Sequence, residues 1–393
     1  MKLRNLLFAS LVLTFGVAAC ASDTSSVELS DSEFVYFPLP ADLTSGVINS
    51  QDQNFIVQEV VTGLNGVPWG MAFLPDGTVL ITERGGNLRR VVNGQLLPDF
   101  VENVPAVFSR GQGGLLDINL HPNYDENGWI YISYSEPTGD LAHTSIIRAK
   151  LDGNALTDIE SIFKIEPYTD RGHHFGSRIE FDNDGYLYFT IGDRGQMSDA
   201  QLLNVYAGKT FRIHDDGRIP EDNPFVGQEG ARPEIFTYGN RNQQGLVKHP
   251  VTGEMWAHEH GPRGGDEINI LRAGNNYGWP EISYGINYNG SIITEDTARA
   301  GMEQPIHYWT PSIAPSGMIF VTGNKYPNWN GNLLTGSLSF KFIQRTVFDG
   351  TTVVKEEKLL EDIGRVRNVR QGPDGYIYFA TEDGKIQRLV PVE

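Results

Sequence analysis

The stretch Asp182–Ile191, "DNDGYLYFTI", decides the fold. Asp before Gly makes a tight hairpin turn, and the residues after it are the aromatic and β-branched types of a buried strand. Aligning the chain on Gly185 finds this pattern five more times: "GTVLITE" from Gly77, "GWIYISY" from Gly128, "GEMWAHE" from Gly253, "GNLLTGS" from Gly331 and "GYIYFAT" from Gly375. Four of the six follow a turn signal, "LPDG", "DNDG", "PVTG" or "GPDG". The glycines are 51, 57, 68, 78 and 44 residues apart, room for one four-stranded unit each plus insertions. Such a unit cannot cover both faces of its own sheet, so the units must pack radially about an axis. The expected fold is all-β, a six-bladed β-propeller.

Composition agrees. The chain of 393 residues has 44 glycines and 21 prolines, which favours many short strands and turns over long helices. Its formal charge of −18 makes nucleic acid an unsuitable partner.

The opening "MKLRNLLFASLVLTFGVAAC" has Lys2 and Arg4, an apolar run from Leu6 to Ala19, and then Cys20. The run is too short to cross a bilayer and is built like an export signal. "VAAC" resembles a bacterial lipobox, whose cysteine carries the lipid, and Cys20 is the only cysteine. Residues 1–20 therefore read as a lipoprotein-type signal, 21–53 as a flexible tether rich in Ser and Asp, and 54–393 as the propeller. The expected place is the periplasm on a lipid anchor. Ala21, rather than Asp, after the cysteine favours the outer membrane.

No G-x-S-x-G, P-loop, G-x-G-x-x-G after a strand or H-E-x-x-H occurs. Polar clusters near the blade starts remain. "SRGQGGLLDINLHP" sets Gln112 between glycines, where backbone can approach a ligand. "RGHHFGSRIEF" puts His173 and His174 at what reads as the start of a strand, where only one of two neighbours can face a given site. With "TIGDRG" it places His174 and Asp193 on one blade, a general base with a carboxylate to orient it. "YGNRNQQGL" brings Arg241 and Asn242 into a blade. "EHGPRGGDEINIL" and "GNNYGWP" offer oxygen from Asp266, Glu267, Tyr277 and the turn at Gly261 and Pro262, a set suited to Ca²⁺ or otherwise a solvated turn. In "IGRVRNV", Arg365 and Arg367 share a strand face. They would make an anion site with Arg241, or else pair with acids such as Glu361 and Asp362.

From about Asn54 onward the chain resembles the soluble pyrroloquinoline-quinone (PQQ)-dependent glucose dehydrogenases, and more closely their aldose sugar dehydrogenase branch, grouped as glucose/sorbosone dehydrogenases. The resemblance rests on "GQGGLLDINLHP", "HFGSRIEF", "IGDRG", "GNRNQQGL", "EHGPRGGDEINIL" with "GNNYGWP", "PSIAPSGM" and "GRVRNV" with "PDGYIYF", in the family's order. It implies that His174 takes the proton of an aldose anomeric hydroxyl while C1 passes a hydride to PQQ, giving a lactone. It implies that Asp193 holds His174 and that Arg241 stands beside the reactive carbonyl. Gln112, Asn242, Arg365 and Arg367 would contact the cofactor, and the carbonyls of Gly261 and Pro262 would hold Ca²⁺. Sorbosone or polyol oxidation, or sugar or protein binding without cofactor, are the other functions compatible with these residues.

Two positions depart from the family pattern. In "GSLSFKF", Ser339 stands where a cofactor-contacting lysine is common, and Lys341, two residues on, would share its face in a continuous strand. His260 stands where glucose-oxidising members have glutamine. The long insertions of the classical glucose enzymes are missing, which implies a monomer of broad specificity. The electron acceptor, a quinone or a cytochrome, is not legible.

Overall fold

The computed structural model describes residues 36–392. Six four-stranded antiparallel sheets form the blades. Blades 1 to 5 follow chain order, with first strands Pro68–Phe73, Leu115–Leu120, Ile179–Phe181, Gln243–Lys248 and Pro315–Phe320. Blade 6 takes Val366–Gln371, Ile377–Thr381 and Lys385–Pro391 from the C-terminal end and Phe55–Val61 from the N-terminal end. Each first strand touches the first strands of both neighbours, so these six strands enclose the axis. The shared blade fastens the two ends of the ring together, with Phe55 opposite Pro391 in register.

The six aligned glycines hold one structural position, the turn into the second strand of a blade. Gly77, Gly128, Gly185, Gly253, Gly331 and Gly375 have φ between 68° and 88°. A Cβ there would strain the backbone, which is why glycine marks this turn in all six copies.

Between the blades lie six apolar layers. Tyr131, Ile146 and Phe163 of blade 2 meet Phe181, Phe189 and Phe211 of blade 3. Leu334 and Ile343 of blade 5 meet Val369, Ile377 and Phe379 of blade 6 over Trp329. The layers between blades 1 and 2, 3 and 4, 4 and 5, and 6 and 1 are built in the same way. Burying both faces of every sheet is what stabilises a chain without a disulfide.

The axis itself is polar. The fully buried Arg178 donates to the carbonyls of Gln244 (2.7 Å) and Arg367 (3.2 Å) and lies 3.4 Å from Asp117. One guanidinium thus joins blades 2, 3, 4 and 6. It also stacks 4.0 Å over the ring of Trp69 in blade 1.

The expected tether is corrected over its described part. Tyr36 and Phe37 are buried where blade 6 meets blade 1, packed against Phe73 and Tyr378. The Tyr36 hydroxyl donates to the Leu74 carbonyl at 2.9 Å. Further along, Asp52 pairs with the buried Arg345 and with Lys355. Two aromatics amid the Ser- and Asp-rich stretch supply the apolar area that docks residues 36–53 on the ring. The export signal and Cys20 lie outside the described residues.

Candidate active site

His174 and Asp193 flank the first two strands of blade 3, one just before Ile179–Phe181 and the other just after Leu187–Ile191. In an antiparallel pair these points adjoin, so both reach the same mouth of the ring. His174 Nδ1 lies 2.6 Å from Asp193 Oδ1. Glycine makes this approach possible: a Cβ on Gly192 would sit 2.4 Å from the His174 carbonyl oxygen. The expectation of a strand at the two histidines is corrected, since His174 lies in a loop with φ 56°. A turn, not strand alternation, separates the neighbouring rings, which meet edge-on at 4.7 Å.

Each partner in this pair is held from behind. The Gln112 side-chain oxygen accepts from the His174 backbone N–H at 2.7 Å. Asp193 accepts from the Gly195 N–H (2.7 Å) and, on its other oxygen, from Trp279 Nε1 (2.8 Å). Burial pushes the Asp193 carboxyl up, but the hydrogen bonds from His174 and Gly195 and the nearby Arg241 together outweigh it and hold it below the usual carboxylate range. Burial lowers the His174 imidazole, with Asp193 pulling it back only in part. The outcome is an ionised carboxylate accepting from Nδ1–H of a neutral imidazole. That leaves Nε2 with a free lone pair, the state a general base requires.

Arg241 follows the last strand of blade 3. Its main-chain N–H donates to Glu259, its carbonyl accepts from the Asp193 N–H, and its guanidinium donates to the carbonyls of His260 (3.0 Å) and Gly261 (3.3 Å). It also stands 5.4 Å over the Trp279 ring. Asn242 is buried, its side-chain oxygen 3.2 Å from the Gly176 N–H.

Beside this group opens a cavity of about 270 Å³. Gln112, Asn242, Arg365 and Arg367 line it, as the sequence led one to expect, together with His260 and Ser339. Arg365 and Arg367 do meet an acid, but it is Glu382, not Glu361 or Asp362. The His260 ring is fixed by the Pro315 carbonyl at 2.5 Å, and burial lowers its pKa well below the ordinary value.

Sequence reasoning missed Trp69, Arg84, Phe175, Gln244 and Glu382 on the cavity wall and Trp279 behind Asp193. Trp279 lay within the quoted "GNNYGWP", whereas Glu382 and Arg84 directly follow the second strands of blades 6 and 1 and carried no motif of their own.

Three expected ligands are corrected. Both oxygens of Asp266 are already engaged, by the N–H groups of Gly261 and Ala314 and the Ser312 hydroxyl. It fastens the turn and is not available to an ion. The Tyr277 hydroxyl donates to the Ile270 carbonyl and accepts from the Arg272 N–H, which makes it a structural pin. Lys341 does not line the cavity: strand Leu333–Ser337 ends before it, and it is exposed in the turn with φ 58°. A residue two along keeps its face only if the strand continues. Glu267 accepts from the Asn269 side-chain amide, and burial together with the neighbouring Glu259 raises its carboxyl above the usual carboxylate range. No group of three or more His, Cys, Asp or Glu side chains that could hold a metal occurs among the described residues.

The structure is thus a six-bladed ring with a His–Asp pair and an arginine beside a cationic cavity at one mouth. The chain belongs to the glucose/sorbosone dehydrogenase family, whose model matches residues 66–389. It is 44% identical over 333 residues to the aldose sugar dehydrogenase YliI of Escherichia coli K12, covering 82% of this chain and 90% of that protein. The solved apo-form of the soluble aldose sugar dehydrogenase of Escherichia coli superposes with a TM-score of 0.82 at 40% identity, over 86% of this chain and all of that one. The PQQ-bound form of the Streptomyces coelicolor aldose sugar dehydrogenase gives 0.70 at 28% identity, over 86% and 98%.

Proposed function

We propose that this protein is a PQQ-dependent aldose sugar dehydrogenase that oxidises the C1 hydroxyl of aldoses to lactones. The observation that carries the reading is the His174–Asp193 pair next to a cavity in which three guanidiniums, of Arg84, Arg365 and Arg367, stand against one carboxylate, Glu382. Such a cavity fits a planar polycarboxylate: the cations match its carboxylates, the Trp69 and Phe175 rings offer flat walls, and the amides of Gln112, Asn242 and Gln244 satisfy its remaining polar atoms. PQQ, when bound, supplies the two-electron acceptor for the hydride from C1.

The chain's own residues do the rest. His174 Nε2 receives the anomeric hydroxyl proton, and Asp193 stabilises the imidazolium that forms. Arg241, held by the His260 and Gly261 carbonyls, directs positive charge toward oxygen where negative charge grows. Ca²⁺, when bound, would be held by the carbonyls of Gly261 and Pro262. We further propose export and lipid attachment at Cys20, which labelling with a fatty acid would test: Cys20→Ser should lose the label.

The direct assay mixes purified apo-protein with PQQ and Ca²⁺ and follows reduction of an electron-accepting dye by glucose and other aldoses. Turnover that needs both additions is expected. Turnover without PQQ, or none with any aldose despite bound PQQ, would overturn the reading.

A further inference from the structure

Among the cations of the cavity, Arg84 differs in having nothing to hold. Arg365 binds Glu382 and the Leu338 carbonyl, and Arg367 binds Glu382. The Arg84 guanidinium lines the same cavity, and no side-chain hydrogen bond or ion pair to it occurs among the described residues. Its backbone, by contrast, is fixed: its N–H donates to the Val67 carbonyl and its carbonyl accepts from the Leu115 N–H.

The side chain's path is built in. Gly114 has φ 151°, and a Cβ there would lie 1.8 Å from the Arg84 carbonyl oxygen and 2.6 Å from its Cγ. Only a glycine lets the arginine stem run into the cavity at this point. Arg84 also acts on its neighbour: burial is the main cause lowering the Arg367 pKa, and the charge of Arg84 lowers it further. A half-buried guanidinium facing another, without a carboxylate of its own, is unfavourable until an anion arrives. Among the described residues that line the cavity, Arg84, Arg365 and Arg367 are the cationic side chains, and Ser339 presents only a hydroxyl.

We propose that Arg84 is a cofactor-binding residue whose guanidinium receives a carboxylate of the quinone cofactor. This rests on the functional reading above. One charge-assisted hydrogen bond or fork is at stake, so Arg84→Gln should weaken PQQ binding about 10- to 100-fold. Arg84→Lys should recover part of the loss, since it keeps the charge but not the fork.

The test is an equilibrium titration of PQQ, in the presence of Ca²⁺, into the apo forms of wild type and both variants, read by the spectrum of the bound quinone and paired with their thermal melts. Weakened binding in Arg84→Gln with an apo melting temperature that is unchanged or higher is expected. Wild-type affinity in Arg84→Gln would overturn the role of Arg84 and leave the functional reading standing. A lowered apo melting temperature in that variant would make the residue structural and overturn it too. A wild type that fails to bind PQQ would overturn both.

Discussion

His174→Gln is expected to lower kcat by about 10²- to 10⁴-fold, the usual contribution of a positioned general base, while PQQ binds as in wild type. The separation of the two effects follows from the geometry. Gln112 holds the backbone of residue 174 and not its ring, so the loop keeps its place. The glutamine amide can still donate to Asp193, and the buried carboxylate is not left without a partner. Steady-state kinetics together with a quinone titration check this. A variant whose kcat at saturating PQQ stays at the wild-type value would remove His174 from the role of base.

Asp193→Asn should also cost about 10²- to 10⁴-fold in kcat, for a different reason. An asparagine at this position can donate to Nδ1, which favours the tautomer with its proton on Nε2, and that nitrogen then has no lone pair for the sugar hydroxyl. The pH profile distinguishes the two variants. In wild type, burial holds the His174 pKa below its ordinary value, so kcat/KM should rise with pH through a midpoint below the usual imidazole range and level off near neutrality. Asp193 raises that pKa, so removing its charge should move the acid limb to still lower pH while the plateau falls. An acid limb that moves upward in Asp193→Asn would contradict the arrangement.

The ring was legible in the sequence because its repeating turn demands a left-handed backbone, and that demand leaves a glycine at Gly77, Gly128, Gly185, Gly253, Gly331 and Gly375. The His174–Asp193 contact was legible for a related reason: two short segments flank one strand pair, so their meeting follows from the hairpin. What joins different blades was not. Glu382 and Arg84 reach the cavity from the ends of second strands in blades 6 and 1, and nothing local in "TEDG" or "TERGG" announces a shared space. The carboxylate of Asp266 misled in the opposite way. Oxygen-rich turns look alike in sequence whether the oxygens face an ion or, as here, the N–H groups of their own and a neighbouring turn. Lys341 misled because period-two reasoning was carried past Ser337, where the strand ends. Residues 36–53 read as tether because their composition is polar, yet Tyr36 and Phe37 are enough to seat them on the ring.

The proposed oxidation of a sugar at this mouth by way of a bound quinone is tested most directly by an anaerobic half-reaction. PQQ-loaded protein with Ca²⁺ is mixed with excess aldose, without dye or oxygen, and the spectrum of the bound quinone is followed through one turnover. Stoichiometric reduction of the quinone in wild type, slowed in His174→Gln at equal occupancy, is the predicted result. A bound quinone that stays oxidised in wild type with every aldose tried would contradict the account.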